Sequence, residues 1–391
     1  MKRTTLSICS LSLALLFSTV LDGAEPDGGE SNAASKNQSQ WITSIAQLGD
    51  GNSFVAATAN GLLMQPASVD AFNVDSPESR TTLYTHPAAV WAVTCTSDGK
   101  TVASVDYRGN LATYNTVTKE IKIHETALER WCQALITEPT NKAVVAGNEA
   151  GKISVWDFAE QQIVSSVELD GHAVTGLAIS PDQQQLAASD GNGQIHLLKW
   201  PSLEIIGKSK VSDAPAWCVA YGSNSEQLLV GCGDNRLYQI ASQPEAKPAV
   251  IATGKDWITK LAVSKTGSVA AGEVSGGLHV LTDIDSPPSI SKSLTAESGV
   301  WSLLWSGEKT LLVGTRKNAI ARIVQSWDWM PDPIPPKESE NKVKTTDETT
   351  ADEATNDPPP EATDKIQPGK AADDEKAAGV SKVEPAEQEN P

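Results

Sequence analysis

One short pattern recurs seven times along this chain, and a tryptophan marks six of the seven copies. The copies are anchored at Trp41, Trp91, Trp131, Val174–Thr175, Trp217, Trp257 and Trp301. Successive anchors are 40 to 50 residues apart. A spacing near 40 residues is typical of one supersecondary unit copied along the chain, and such units bury their apolar faces only by stacking on each other.

The second copy predicts what the repeated unit is. Val90–Cys95 and Thr101–Val105 are β-rich and flank the turn Ser97–Lys100. Two further short runs, Leu111–Tyr114 and Glu120–His124, follow after turns. Short strands at hairpin spacing predict a four-stranded antiparallel meander.

The second strand of several copies is apolar throughout and ends in glycine. These strands are Val144–Gly147, Leu228–Gly231, Val269–Gly272 and Leu311–Gly314. A short apolar run without alternation is typical of a strand that is buried on both faces. We therefore expect these strands to lie between neighbouring sheets, which the small Ala and Gly residues allow to approach closely.

Four-stranded units at this period predict an all-β chain folded as a seven-bladed β-propeller of antiparallel blades. The residues also resemble those of the WD-repeat propellers. Gly171–His172 followed by Val174–Asp182 is similar to the family's Gly-His turn and first strand. Ile153–Asp157 is similar to its third strand with the Trp-Asp ending, and His86–Ser97 fits the same template. The resemblance covers residues 41–330.

The resemblance is degenerate in several copies. Only the third copy keeps the Trp-Asp pair, at Trp156–Asp157, and Asp234 resembles the family's structural turn aspartate. The polar stretch 65–80 is expected to interrupt the first copy. The family usually completes its last blade with an amino-terminal strand, and here either the residues before Trp41 or the segment Ser326–Trp329 could cover that edge.

The amino-terminal residues predict a segment outside the propeller. Lys2 and Arg3 precede an uncharged apolar run of 16 residues from Leu6 to Leu21, and small residues follow at Gly23–Ala24. This pattern is typical of a secretory signal peptide, here residues 1–24, and a bilayer span needs roughly 20 apolar residues. A retained anchor helix is the alternative. We expect an exported protein, periplasmic or extracellular, with no membrane span after signal cleavage.

Two polar segments flank the repeats. Residues 25–40 form a polar linker, and residues 331–391 form a tail. From Lys337 to Pro391 the tail has 15 acidic residues and 7 lysines, so it cannot bury enough apolar surface to order itself and is predicted to be disordered. It serves either as an acidic interaction arm or as a solubilising tail. The net charge of −18 argues against nucleic acid as a partner, because phosphates would be repelled.

The tryptophans at the starts of the repeats are the candidate partner-binding residues. They are Trp41, Trp91, Trp131, Trp217, Trp257 and Trp301. By analogy with the family, each would begin an innermost strand and lie beside the central channel on the top face. An indole offers a broad apolar face and one N–H donor, which suits peptides, sugars and cations. The alternative is that these rings wedge between blades as packing.

Cysteines and histidines give weaker signals. Cys218 and Cys232 lie on the first and second strands of one copy and form a candidate disulfide, with two buried free thiols as the alternative. No Cys-x-x-Cys, His-x-His or Glu-x-x-His spacing occurs, so no metal site is predicted. The similar third-strand positions of His196 and His279 indicate repeat geometry.

No enzyme signature is present in the sequence. There is no Gly-x-Ser-x-Gly elbow and no phosphate loop, so we predict no catalytic residues and no cofactor. The leading hypothesis is a non-enzymatic scaffold that binds another protein or peptide in the cell envelope or outside the cell. The alternatives are a propeller hydrolase or lactonase acting on a small carbohydrate-like substrate, and a sugar-binding propeller.

Overall fold

Antiparallel strands build the whole of the described chain. The computed structural model describes residues 40–49, 51–281, 290–296, 298–317 and 319–324. Within these ranges there are 27 strands and no helix, and so no helix that could cross a bilayer. The predicted signal peptide, the linker up to residue 39, the tail and the segment Ser326–Trp329 lie outside the described residues.

The strands form seven separate sheets in chain order, each a meander. The first blade consists of β1 Trp41–Gln47, β2 Ser53–Ala59, β3 Ala67–Asn73 and β4 Ser76–His86. The second consists of β5 Val90–Cys95, β6 Thr101–Asp106, β7 Leu111–Asn115 and β8 Ile121–His124. The third consists of β9 Cys132–Thr137, β10 Ala143–Asn148, β11 Lys152–Asp157 and β12 Gln162–Glu168.

The remaining blades repeat this order. The fourth consists of β13 Val174–Ile179, β14 Gln185–Asp190, β15 Gln194–Lys199 and β16 Ile205–Lys210. The fifth consists of β17 Ala216–Tyr221, β18 Gln227–Cys232, β19 Arg236–Ala241 and β20 Ala249–Thr253. The sixth consists of β21 Ile258–Val263, β22 Val269–Glu273, β23 Gly277–Leu281 and β24 Ile290–Thr295. The seventh has three described strands, β25 Val300–Ser306, β26 Thr310–Thr315 and β27 Ile320–Val324.

The predicted seven-bladed all-β propeller is confirmed, and the predicted strands of the second copy agree with β5–β8 to within a residue. The first blade differs from expectation, because the polar stretch 65–80 is not an interruption but supplies β3 and the beginning of β4. Asp70 explains why polar residues are tolerated there. Its buried carboxylate accepts a hydrogen bond of 2.8 Å from the Thr82 hydroxyl and pairs with Arg80 at 3.7 Å.

An apolar core fills each junction between neighbouring blades. The junction between the seventh and first blades contains Ile42, Phe54, Leu312 and Ile320, all buried, so the ring is closed by packing. The glycines of the second strands permit this approach, as expected from the sequence. A Cβ at Gly314 would lie 2.6 Å from the Ile42 side chain, closer than two carbon atoms can pack.

The first strand of every blade lines a central channel. These inner strands are β1, β5, β9, β13, β17, β21 and β25, and each contacts the next around the ring. All seven run in the same direction along the channel, because each blade is the same meander. We call the end where the inner strands begin the indole end. The opposite end, where first and second strands are joined by turns, is called the open end.

Candidate functional site

Every inner strand has a β-bulge close to its beginning. One residue per blade is skipped in the pairing with the second strand, and the side chain of this extra residue points in a different direction than it would in a regular strand. The bulged residues are Thr43, Trp91, Gln133, Thr175, Trp217, Thr259 and Trp301. The same irregularity in all seven blades therefore fixes which side chains reach the channel.

The six candidate tryptophans fall into two positions relative to this bulge. Trp91, Trp217 and Trp301 are the bulged residues themselves. The other three lie two residues earlier in the chain; they are Trp41, Trp131 and Trp257. The sequence predicted one shared position, and the structure separates the six residues into bulge indoles and leading indoles.

Each bulge indole contacts the leading indole of the following blade. Trp217 stacks on Trp257 with ring centroids 5.7 Å apart. Trp301 stacks on Trp41 at 5.7 Å across the junction of the seventh and first blades. Trp91 meets Trp131 edge to face at 5.0 Å. The alternation of the two positions around the ring thus produces three aromatic pairs.

The pairs join into one aromatic cluster at the indole end. The rings of Trp91 and Trp301 meet edge to face at 5.6 Å, and Trp217 packs against the same group. The guanidinium of Arg316 lies 4.7 Å from the Trp41 ring centroid, within cation–π range. The fourth blade contributes no tryptophan and has Thr175 at its bulge, so the circle of tryptophans around the channel is interrupted at this blade.

Some rings of the cluster are buried, and others are partly exposed at the surface. Trp41, Trp91 and Trp131 are buried, whereas Trp217, Trp257 and Trp301 are partly exposed. The indole N–H groups of Trp131, Trp217 and Trp301 are buried and have no hydrogen-bond partner among the described residues. An unpaired buried donor costs about 1–3 kcal/mol. Three of the six rings are therefore buried as packing, and the other three keep an exposed portion, so partner binding stays a prediction.

A short loop adds apolar surface beside the cluster. Leu63, between β2 and β3, packs against both Trp41 and Trp91, and the backbone N–H of Ala89 donates to its carbonyl at 3.0 Å. Its neighbours Leu62 and Met64 are 55% and 54% exposed. This loop was not predicted, because nothing in the residues Leu62–Met64 distinguishes an exposed turn from a buried one.

Below the cluster, the channel widens toward the open end. It forms a cavity of ≈ 670 Å³ that is lined by the inner strands and by the turns that follow them. Lys260 projects into this cavity, and burial lowers the pKa of its ammonium group. Lys260 was not predicted as a channel residue, because alignment of the repeats on the tryptophans alone hides its position relative to the bulge.

The buried histidines belong to structural networks. His86 lies between Ser104 Oγ, at 2.7 Å from Nε2, and Asp106 Oδ2, at 3.3 Å from Nδ1. Burial would raise the pKa of Asp106, but hydrogen bonds from His86 and Asn110 outweigh it and leave the pKa lowered. These side chains have the composition of a catalytic triad, and all three are buried.

Two other blades also pair a buried histidine with a carboxylate, here on the third and second strands of a single blade: His196 contacts Asp190 at 2.8 Å, and His279 contacts Glu273 at 2.7 Å. The carboxylates also accept hydrogen bonds from backbone N–H groups of the adjoining turns. Asp190 Oδ1 accepts one from the N–H of Asn192 at 2.9 Å. Across the described ranges, no group of three or more His, Cys, Asp or Glu side chains is arranged to hold a metal ion.

The candidate disulfide partners Cys218 and Cys232 are free thiols in the structure. The bulge at Trp217 places Cys232 opposite Ala216 and Cys218 opposite Gly231. Cys232 then faces the core shared with the fourth blade, whereas Cys218 faces Ile258 of the sixth. Because the two sulfurs point to opposite faces of one sheet, this backbone does not bring them together.

One comparison with known families bears on the repeats. Residues 163–197 match the family model described as WD40, WD domain, G-beta repeat. The matched segment runs from β12, the outer strand of the third blade, into β15 of the fourth. It includes Gly171–His172, the turn on which the sequence resemblance partly rests.

Proposed function

We propose that this chain, a seven-bladed β-propeller in which residues 163–197 match a WD-repeat model, is a non-enzymatic scaffold that binds another protein through its indole end. Propellers of this type serve many roles, so the fold alone is only consistent with protein binding. The residues at the indole end support the choice of this surface.

The observation that carries the proposal is the exposed apolar surface around the aromatic cluster. Leu62 and Met64 are each more than half exposed and flank the loop residue that packs on Trp41 and Trp91. Partly exposed indoles and a guanidinium lie at the same end of the channel. Trp and Arg are enriched at protein-binding hot spots, and exposed apolar patches mark interaction sites.

Exposed apolar residues elsewhere are dispersed. Most lie on the outermost strands of different blades; they are Ile121, Ile123, Val164, Ile205, Ile206 and Val250. Val117, which is 72% exposed, lies in the turn between β7 and β8 at the open end. Single apolar residues of this kind are normal on a protein surface.

The amino-terminal residues supply the proposed location. The pattern at residues 1–24 supports export, so the partner would be met in the periplasm or outside the cell. The rival hydrolase hypothesis would be favoured by acids or histidines converging on a metal in the channel, and none converge in this way among the described residues. The sugar-binding alternative stays open, because three indoles keep an exposed portion.

Affinity capture with matched surface variants tests the proposal. The tagged protein is incubated with an envelope or secreted fraction, and captured proteins are quantified for wild type, L62S/M64S and V117S. We expect a partner that wild type and V117S retain equally and that L62S/M64S loses by about tenfold, since two exposed anchors are removed. Equal capture by all three, or capture of nothing together with turnover of a small substrate, would contradict the proposal.

A further inference from the structure

The central channel is a well whose inner end is closed by aromatic side chains. The three bulge indoles, Trp91, Trp217 and Trp301, pack together across the channel and also line the cavity below them. From there the cavity of ≈ 670 Å³ extends along the inner strands to the turns at the open end. This volume falls in the range of small-molecule sites.

Lys260 is an exception in the wall of this well. It is the residue that follows the bulge in its blade, and it pairs with Gly272 of the second strand. The equivalent residues of the other six blades are small: Ser44, Ala92, Ala134, Gly176, Cys218 and Ser302. Blade packing at this position therefore requires no lysine, and a long cationic side chain projects into the channel at one blade only.

The Lys260 ammonium has no anionic partner in the part of the chain that the structure describes. The ionisable group that acts on it most directly is the Cys218 thiol, and burial raises the pKa of that thiol to about 12, so it is neutral. The one carboxylate in the cavity wall, Glu138, is held by the hydroxyl and N–H of Thr140 and by the N–H of Lys142. Lys260 is half-buried, and a cation that loses part of its hydration without gaining a partner is unfavourable, so the position costs stability unless a ligand balances the charge.

A second unpaired donor lies beside Lys260. Gln133, the bulged residue of the third blade, makes no side-chain hydrogen bond within the described residues. Together with Lys260, the bulge indoles and Trp257, it lines a space of ≈ 50 Å³ that shares part of its wall with the well. One ammonium and one amide thus face a small space against an aromatic wall.

We propose that this well binds a monoanionic carboxylate, with Lys260 as the counter-charge, Gln133 as a second hydrogen-bond donor and the bulge indoles against the ligand's apolar body. One lysine balances a single negative charge. A phosphate group carries about 1.5 to 2 negative charges at neutral pH, more than Lys260 alone balances, and the opposite charges of Glu138 and Lys265 in the turns at the open end offset each other. The carboxylate belongs either to a free small acid or to the end of a peptide, and the test separates these sources.

Isothermal titration with benzoate, acetate, inorganic phosphate and two forms of one short apolar peptide tests the proposal. One peptide has a free terminal carboxylate and the other is amidated. The intrinsic tryptophan fluorescence, to which the bulge indoles contribute, gives an independent signal. We expect saturable binding of benzoate or of the free-acid peptide with a Kd on the order of 1 mM or tighter, and no binding of the amidated peptide.

Two lysine variants locate the site. K260M keeps the length of the side chain and removes the charge, and it should weaken carboxylate binding at least tenfold. K265M changes the exposed lysine at the open end and should leave the affinity within about twofold. If K260M fails to fold, Q133L provides the second test and should weaken binding several-fold.

The melting temperature gives an outcome that a merely structural lysine would not produce. Without ligand, K260M should melt about 2–4 °C above wild type because an enclosed unpaired charge is removed, and benzoate should raise the Tm of wild type but not of K260M. Absence of binding and of any Tm shift with every monoanion, equal binding by K260M, or a preference for phosphate would each overturn the proposal. L62S/M64S should bind benzoate normally, so the outcome is independent of the protein-binding proposal.

Discussion

Lys260 carries an ammonium group where the other six blades carry a hydroxyl, a thiol, a methyl group or a single hydrogen atom. The difference could be read from the sequence only after the repeats are aligned on the bulge. Alignment on tryptophan shifts three of the copies by two residues, because Trp257 leads its bulge whereas Trp217 and Trp301 occupy theirs. The tryptophans were therefore identified from the sequence. That three of them lie at the bulge and three lie two residues before it was not.

The lowered pKa of Lys260 predicts a pH dependence of stability. Between that lowered value and the ordinary lysine value of about 10.4, the unfolded chain binds a proton that the folded chain has lost. The free energy of unfolding therefore rises with pH across this window.

Urea denaturation at several pH values, with wild type and K260M compared, measures this effect. The comparison isolates the contribution of Lys260. Contributions from Cys218, whose pKa is raised, and from Glu138 and Lys265, which line the same channel, are common to both proteins and cancel. The stability difference between K260M and wild type should shrink as pH rises toward 10. A difference that is constant with pH would show that the ammonium is not destabilised.

At the scale of strands and blades, the sequence predicted most of the structure. Apolar second strands ending in glycine were expected between sheets, and the structure places Gly147, Gly231, Gly272 and Gly314 against the inner strand of the next blade. The polar strands of the first blade were not expected, because the pairing of Asp70 with Thr82 and Arg80 joins residues on two strands. The bulges were not predictable either, since no residue type is common to all seven.

Gly231 provides a test of this blade contact. A Cβ at Gly231 would lie 2.7 Å from the carbonyl oxygen of Ile258, so the backbone itself must move. G231A should reduce the free energy of unfolding by about 1–3 kcal/mol. The matched control is G51A, because a Cβ at Gly51 meets nothing within 4 Å. Chemical denaturation curves measure both, and equal stability of the two variants would argue against close packing of the fifth and sixth blades.

At the scale of the whole molecule, the ring presents two ends with different chemistry. The indole end combines partly exposed aromatic rings with Leu62 and Met64, whereas the open end leads into a polar well that contains Lys260. The seven-fold repeat predicted the ring and a cluster of tryptophans beside its channel. It could not predict which rings would be buried, because burial follows from contacts between neighbouring blades.

Site-specific photo-crosslinking in the cell that produces the protein tests the central claim most directly. A photoreactive phenylalanine analogue replaces Leu62 at the indole end or, in the control, Val117 at the open end; both positions are exposed. We expect a discrete crosslinked product of higher mass from position 62 and none from position 117. No product from position 62, or the same product from both positions, would contradict a partner-binding surface at the indole end.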